Sequence, residues 1–269
     1  MGSRLRDTAA EEMKMRAIII MFSTYTRIPM PQVSWDEKST RYAICAFPLA
    51  GVVISLLSLG LLRLSEMLKV PEAAQACLLI ALPVIVTGGI HLDGLIDTAD
   101  ARSSYSDRGK KLEILKDPHV GAFGIIRLAL YLLLAFAALE ILLCGNMTRK
   151  VLITALLIPV LSRICSSLAA ELLPKARPSG MLSEMVGRKT ERGKVIILSV
   201  QFIVCASVLL AADLISGGIL LAAEGILILY YRHMALTEFG GVTGDLAGWY
   251  LCMAELAGVW ALAAAGWIR

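Results

Sequence analysis

Charged residues are scarce in this sequence, at 18% of 269 residues, whereas soluble domains usually carry about 25%. Hydrophobic residues make up 57% of the chain and are gathered in several long runs. A linker rich in Ser, Thr or Pro and a low-complexity tract are both absent. This composition excludes an ordinary soluble domain and predicts one integral membrane domain over 1–269.

Cysteine patterns that would bind a metal or form a disulfide framework are also missing. The six cysteines are far apart, without C-x-x-C or Cys/His spacing, so they are predicted to be small packing residues. The N-terminal stretch has only a short apolar piece with no small-residue cleavage site after it, and is not predicted to be a signal peptide. We expect a short helix there that lies at, or dips into, the membrane interface.

Seven runs are long enough to cross a bilayer, since each has roughly 17–25 mostly apolar residues. Their apolar residues are continuous rather than alternating, which favours helices. The predicted fold class is therefore an all-α, polytopic membrane bundle. Its spans are expected at about 41–63, 73–92, 122–144, 150–172, 194–213, 216–234 and 246–267.

Lys and Arg are distributed unequally between the two sides of this bundle. Nineteen of the 26 fall in the N-terminal segment and in the loops near 91–121, 173–194 and 231–247, five fall on the other face, and two lie inside spans. The positive-inside rule places the first face in the cytoplasm, so the expected location is the cytoplasmic (inner) membrane. The motif-like segments fall on that same face, which favours a cytoplasm-facing active site over a transporter.

The segment GGIHLDGLIDTAD, 88–100, places three aspartates at the end of an apolar run. On a helix, Asp93, Asp97 and Asp100 fall within roughly a 60° arc. Carboxylates so close repel one another unless a cation neutralises them, and oxygen-only ligands suit Mg²⁺. A helix cap would explain Asp93 alone, so the three together predict a catalytic Mg²⁺ site. Asp117 is a further candidate ligand, or a cap before the next span.

His91 precedes the aspartates, and the sequence leaves its role open. If the helix includes His91, its ring points away from the carboxylates. If the helix begins at Asp93, a preceding turn could bring His91 back towards them. A catalytic general base, support for a metal ligand and packing at the interface are all compatible with the sequence.

Basic side chains and a glycine-rich turn on the same face are candidates for binding phosphate. An arginine within an apolar run, such as Arg163, is costly without a partner, and arginine suits bidentate phosphate contacts. The glycines of GGVTGD, 240–245, allow backbone amides to approach a phosphate. The candidate substrate-binding residues are Arg27, Lys116, Arg127, Arg163, Arg177, Gly240, Gly241, Thr243, Gly244 and Asp245.

Six segments, taken in order, resemble the cobalamin synthase family, whose members are also called adenosylcobinamide-GDP ribazoletransferases or cobalamin 5′-phosphate synthases. They run through most of the chain, and their combination is far more specific than any one of them. The segments are TRIPMP (26–31), FPLAGVVI (47–54), HLDGLIDTAD (91–100), LEILKDPHVGAFG (112–124), LLPKARPSG (172–180) and GGVTGD (240–245).

The resemblance implies the last step in assembling the lower ligand of cobalamin. Adenosylcobinamide-GDP would react with α-ribazole, or its 5′-phosphate, to give adenosylcobalamin, or its 5′-phosphate, and GMP. Mg²⁺ is the implied metal, the three aspartates its expected ligands, and His91 or an aspartate the expected base. The lipid bilayer is an expected partner and nucleic acid is not, while homo-oligomerisation stays open.

Three other classes were weighed against this one. Membrane prenyltransferases carry two aspartate-rich motifs, and here Asp245 stands in place of the second. CDP-alcohol phosphotransferases use D-x-x-D-G-x-x-A-R, but in this chain the glycine follows Asp93 instead of Asp97. A transporter could use Glu140, Glu224 and Glu255 as its pathway, and the one-sided placement of motifs argues against it.

Overall fold

The computed structural model of the protein describes residues 2–145, 147–187 and 189–267. Two of the basic residues used for the topology prediction, Arg188 and Arg269, lie outside the described residues. Within the described ranges the chain is built from helices joined by turns, and extended pairing is confined to one bridge, Lys175 with Val242. The predicted all-α class is confirmed.

Eleven α-helices and one π-helical turn follow one another along the described chain. They are α1 (Gly2–Tyr25), α2 (Glu37–Leu68), α3 (Glu72–Thr87), α4 (Ile90–Ser103), α5 (Arg108–Ile114), α6 (Ala122–Cys144), α7 (Arg149–Leu172), α8 (Met181–Val186), α9 (Arg192–Ala212), α10 (Leu214–Met234), the π-helical turn (Ala235–Phe239) and α11 (Gly244–Trp267).

Six of these helices are long and apolar enough to cross a membrane one by one, namely α2, α6, α7, α9, α10 with its π-helical turn, and α11. A seventh span requires α3 and α4 together, and these two meet at 95°. The predicted number of seven spans is reached if this bent pair counts as one span. The run 73–92 is not one straight helix. It breaks at Gly88 and Gly89, which have φ of +68° and +82°, a left-handed conformation that glycine adopts readily.

The N-terminal helix is longer than the short helix predicted from its apolar piece. It extends over Gly2–Tyr25 because the polar residues ahead of that piece, rich in Ala, Glu, Met, Lys and Arg, are good helix formers. Ile20 and Met21 are buried near its end, in a cluster with Phe47 and Ala50 of α2. Helix α1 therefore packs against α2 rather than standing alone.

Helices α7 and α11 occupy the centre of the bundle, where more than half of each span is buried, whereas only 17% of the α6 and α9 spans is buried. The centre also holds two of the three glutamates considered for a transport pathway, since Glu224 accepts a hydrogen bond from Tyr250 and Glu255 from Arg163, whereas Glu140 is half-buried on α6. Four of the six cysteines are buried as predicted, while Cys77 and Cys144 are exposed on α3 and α6.

The long connections meet at one end of the bundle. The segment after α7 pairs with the segment before α11, where Ala176 N donates to Val242 O at 3.0 Å and Val242 N donates to Pro174 O at 2.8 Å. Glu238, in the π-helical turn after α10, binds Arg102 of α4 at 2.9 Å and Lys111 of α5 at 2.7 Å. These contacts draw α4, α5 and the last two connections together around one site.

Candidate active site

Helix α4 carries the aspartates on one side and packs with the other. Leu95, Thr98 and Ala99 are buried, whereas Asp93 is exposed and Asp97 is half-buried. Because the helix begins at Ile90, His91 is part of it and lies on the side away from the carboxylates, as the helical spacing predicts. The position of the break, just before Ile90, therefore determines that the aspartates and His91 point to opposite sides of α4.

Asp245 joins this group from α11, which crosses α4 at very short range. A Cβ at Gly94 would overlap the carbonyl oxygen of Asp245, so only glycine permits the crossing. The charge of Asp97 is influenced by Asp93 and Asp245, and less by Asp100. Asp245, from the glycine-rich turn, is therefore close enough to interact electrostatically with Asp93 and Asp97 of the predicted cluster.

Asp100 has a structural task in this arrangement. Its carboxylate accepts hydrogen bonds from the backbone N–H groups of Gly121 and Gly124, both at 2.8 Å, at the point where α6 begins. A carboxylate there satisfies N–H groups that have no partner within the helix. Among the described residues, no group of three or more His, Cys, Asp or Glu side chains converges to hold a metal ion, so protein ligands alone do not preassemble the predicted three-aspartate site.

A cleft of about 310 Å³ opens beside α4. One end is polar, with Asp93, Arg177, Thr243, Gly244 and Asp245 among its lining residues. The other end is apolar and aromatic, and its lining residues include Tyr25, Ile44, Phe47, His91 and Leu251. The cleft therefore brings together the α4 aspartate motif, PKARPSG and GGVTGD, three segments that are far apart in sequence.

Arg177 is the predicted basic residue that the structure places most directly in this cleft. A terminal nitrogen of its guanidinium lies 3.8 Å from a carboxylate oxygen of Asp245, and the other donates to Leu112 O at 2.5 Å. Its Nε is buried without a hydrogen-bond partner. A guanidinium held in this way keeps one donor free for an anionic ligand.

The glycine-rich turn divides into two parts with different tasks. Gly240 lies against the guanidinium of Arg108, which would overlap any Cβ at that position, and Gly241 packs on the backbone of 174–176. Thr243 and Gly244 line the cleft instead. The first two glycines of the predicted phosphate-binding turn thus allow close packing, and the later residues reach the site.

The other predicted basic residues are spread more widely. Arg27 lines a second opening that Asp93 also lines, and its side chain rests on Gly88. Lys116 and Arg127 are exposed and lie outside the residues that line the cleft. Asp117 is bound within its own loop, where the backbone N–H of His119 donates to its carboxylate at 3.0 Å and lowers the pKa of Asp117.

Arg163 faces inward, away from the polar end of the cleft. It is 1% exposed, and one of its terminal nitrogens donates to Glu255 at 2.6 Å and to Pro159 O at 2.8 Å. Its guanidinium carbon also lies 5.6 Å from the centre of the Phe47 ring. An arginine within a span is costly without a partner, and here Glu255 is the partner of a terminal nitrogen, while Nε is buried with no hydrogen-bond partner among the described residues.

Two groups at this end of the bundle were missed by the sequence reasoning. Glu238 links α4 to α5, and Tyr25 and Phe47 form the aromatic side of the cleft with His91. Tyr25 and Phe47 lie in or beside the segments that carry the family resemblance, so their position in those segments was the available signal. Glu238 lacked such a signal, since one glutamate before a glycine pair is not distinctive.

Comparison with known proteins decides the family. The profile described as Cobalamin-5-phosphate synthase matches residues 17–263. The chain belongs to the cobalamin-5-phosphate synthase family. Members of this family are transferases of cobalamin biosynthesis, so the predicted enzyme class is confirmed.

Relatives in this family are similar to the chain over nearly their whole length. A protein of Lachnoclostridium phytofermentans is 36% identical over 242 residues, covering 90% of this chain and 91% of the relative. One from Ectopseudomonas mendocina is 34% identical, covering 91% and 97%, and one from Clostridium perfringens is 32% identical, covering 91% and 96%. Each is named adenosylcobinamide-GDP ribazoletransferase. No solved structure matches the chain.

Proposed function

We propose that the chain transfers adenosylcobinamide phosphate from adenosylcobinamide-GDP to the 5′-hydroxyl of α-ribazole or α-ribazole 5′-phosphate. GMP is released, and adenosylcobalamin or its 5′-phosphate is formed. Family membership and the names of the relatives support the reaction class. The observation that carries the proposal is the cleft in which carboxylates from α4 and α11 face a guanidinium and a glycine-rich turn, since this combination suits a diphosphate and a proton acceptor.

The transfer exchanges one phosphorus–oxygen bond for another. The 5′-oxygen of the nucleoside forms a bond to the phosphorus that carries cobinamide, and the bond from that phosphorus to the bridging oxygen breaks. GMP leaves with the bridging oxygen and its electron pair. The proton of the 5′-hydroxyl passes to an aspartate carboxylate of the cleft, where Asp93 is the exposed one.

The carboxylates of Asp93 and Asp245, which line the cleft, and of Asp97 beside them on α4 fit Mg²⁺ when a diphosphate is present. Asp93, Asp97 and Asp245 offer only oxygen donors, and their charges act on one another, which a cation would relieve. Mg²⁺ is commonly held by one or two carboxylates together with phosphate oxygens and water, so a complete protein cage is not required. When bound, the metal supplies charge neutralisation on the diphosphate and on the departing phosphate.

Arg177, Thr243 and Gly244 position the diphosphate in this proposal. The free Nε of Arg177 donates to a phosphate oxygen, and its ion pair with Asp245 holds the guanidinium in the cleft. Thr243 and Gly244 line the same cleft as Arg177. Holding the reacting phosphorus against the nucleoside in this way lowers the entropic part of the barrier.

The site is proposed to face the cytoplasm from the inner membrane. The N-terminal segment and the loops near 91–121, 173–194 and 231–247 together carry 19 of the 26 Lys and Arg residues, and basic segments are retained on the cytoplasmic side. Both substrates are large and polar, so this orientation exposes the cleft to the compartment in which nucleotides are made.

The test is direct incubation of the purified protein with adenosylcobinamide-GDP, α-ribazole and Mg²⁺. We expect GMP and adenosylcobalamin to form in equal amounts, as measured by liquid chromatography. A folded, monodisperse protein that releases no GMP from verified substrates, with α-ribazole or with its 5′-phosphate, would refute the proposal. Incubation with prenyl diphosphates and with CDP-alcohols in parallel tests the competing enzyme classes.

A further inference from the structure

The aromatic end of the cleft is a built surface rather than a chance apolar patch. The ring of His91 stacks on Tyr25, with centroids 6.3 Å apart and 28° between the planes, and meets Phe47 edge-on at 5.9 Å. Tyr25 and Phe47 are themselves 4.5 Å apart. The three rings come from α1, α2 and α4, so three helices must be in place to form this surface.

The remaining contacts of this cluster hold it in position. Arg163 lies over Phe47 at 5.6 Å, and the hydroxyl of Tyr25 donates to the sulfur of Met185 at 3.4 Å. Flat rings fixed in this way form a platform on which a planar ligand can stack with little loss of side-chain entropy. Two planar bases lie next to the reacting groups of the proposed substrates, the guanine of one and the benzimidazole of the other, whereas the adenine is part of the adenosyl group attached to the cobalt of the corrinoid.

His91 supplies the polar atom that distinguishes these two bases. Its Nε2 is buried and has no hydrogen-bond partner within the described chain, although an unpaired buried polar atom costs roughly 1–3 kcal/mol. A benzimidazole nucleoside has one free ring nitrogen, which is an acceptor, and a neutral imidazole protonated on Nε2 can donate to it. His91 therefore offers one unpaired donor, Nε2, and the base offers one acceptor, its free ring nitrogen, so that the two can form one hydrogen bond.

Guanine fits this end of the cleft poorly. Its edge carries two donor groups beside one acceptor, and donors of this kind need carboxylate or carbonyl partners. Among the described lining residues, the carboxylates are those of Asp93 and Asp245, whereas the His91 ring is contacted by the rings of Tyr25 and Phe47. Burying the guanine donors here would leave them unpaired.

We propose that the Tyr25–Phe47–His91 surface binds the benzimidazole base of α-ribazole, with Nε2 of His91 donating a hydrogen bond to its free ring nitrogen. The inference rests on the proposed function and assigns the two ends of the cleft to different parts of the substrates. The base lies at the aromatic end, and its ribose extends towards Asp93, where the 5′-hydroxyl meets the diphosphate. His91 is then a residue that recognises the nucleoside, and the proton acceptor is an aspartate.

The test compares α-ribazole with its indole analogue, in which C–H replaces the free ring nitrogen and the ribose is unchanged. The wild-type protein, saturated with adenosylcobinamide-GDP, is expected to use α-ribazole with a kcat/KM about tenfold higher, because the analogue leaves Nε2 unpaired. In the His91→Phe variant, which keeps a ring but loses the donor, this preference should fall to within about twofold. The KM for adenosylcobinamide-GDP should stay within about twofold in both proteins.

Two further variants separate recognition from a general loss of structure. Phe47→Leu removes one ring and should raise the KM of both nucleosides by a similar factor, leaving the preference intact. His91→Gln, whose amide can donate, should retain part of the preference.

Equal use of the two nucleosides by the wild-type protein would overturn the inference without any variant. An undiminished preference in the folded His91→Phe protein would overturn it as well. Failure of the wild-type protein to release GMP with any nucleoside would instead count against the proposed function.

Discussion

Gly94 of α4 lies so close to Asp245 of α11 that a methyl group on Gly94 would overlap the Asp245 carbonyl oxygen. The same helices approach again where Gly248 faces the backbone of His91, with 3.1 Å between a Cβ placed there and the His91 carbonyl oxygen. Glycine at both positions lets two backbones approach more closely than side chains would permit. The distance between the aspartates of α4 and Asp245 thus depends on the absence of a side chain.

Replacing Gly94 by Ala is therefore expected to damage both stability and activity. The added methyl group forces α4 away from α11, at a cost of about 1–3 kcal/mol, and moves Asp93 and Asp97 relative to Asp245. We expect a lower thermal midpoint in detergent and a GMP-release rate at least about tenfold lower. Gly225→Ala is the matched control, since no atom lies within 4 Å of its would-be Cβ. Equal behaviour of the two variants would contradict this view of the crossing.

Asp93→Asn and Asp97→Asn should each lower the rate of GMP release by about 100-fold or more. Each change removes a negative charge that binds the metal or accepts the proton. The protein should remain folded and membrane-bound. Glu113→Gln serves as control and should keep its rate within about twofold, since Glu113 is exposed on α5 and forms a surface ion pair with Lys110 at 3.1 Å. Near-wild-type rates in both aspartate variants would rule out the metal assignment.

Asp100 should behave differently from its two neighbours. Asp100→Ala removes both acceptors from the start of α6 and is expected to cost about 2 kcal/mol of stability, seen as a lower thermal midpoint. Asp100→Asn keeps one acceptor and should lie between Ala and wild type. If Asp100 were chiefly a metal ligand, the Asn variant would lose as much activity as Asp93→Asn with little change in midpoint.

The Arg163–Glu255 pair is expected to stabilise the bundle as a unit. Arg163→Met or Glu255→Gln leaves one charged partner without its counterpart inside the span, and each should cost about 3 kcal/mol. The double variant should be less destabilised than the sum of the two, as a thermal double-mutant cycle would show. Strictly additive losses would mean that the two side chains act independently.

The sequence predicted well those features that depend on local composition. The spans follow from runs of apolar residues, and the one-sided placement of motifs from the positions of Lys and Arg. Asp93 and Asp97 were found because helical spacing places them together whatever the rest of the chain does. Asp93 lines one cleft together with residues of two later motifs, which agrees with the expectation of a single site.

The features that were missed depend on contacts between distant segments. Gly88 and Gly89 are embedded in an apolar run, so their left-handed conformation has no signature in hydropathy. The cap on α6 pairs Asp100 with residues more than 20 positions away, and the partner of Arg163 is 92 positions away. Spacing within one helix cannot reveal such partners, which is why Asp100 was considered as a metal ligand and Arg163 as a candidate for binding phosphate.

The 95° turn between α3 and α4 also determines where the chemistry takes place. If α3 continued straight through residues 90–100, Asp100 would lie about 16 Å farther along the α3 axis, away from the helices that it now contacts. Because α4 runs across that axis instead, its carboxylates stay beside the starts of α6 and α11. Water-soluble nucleotides then need not enter hydrocarbon to react, and we expect the bilayer to serve this enzyme as an anchor rather than as a reaction medium.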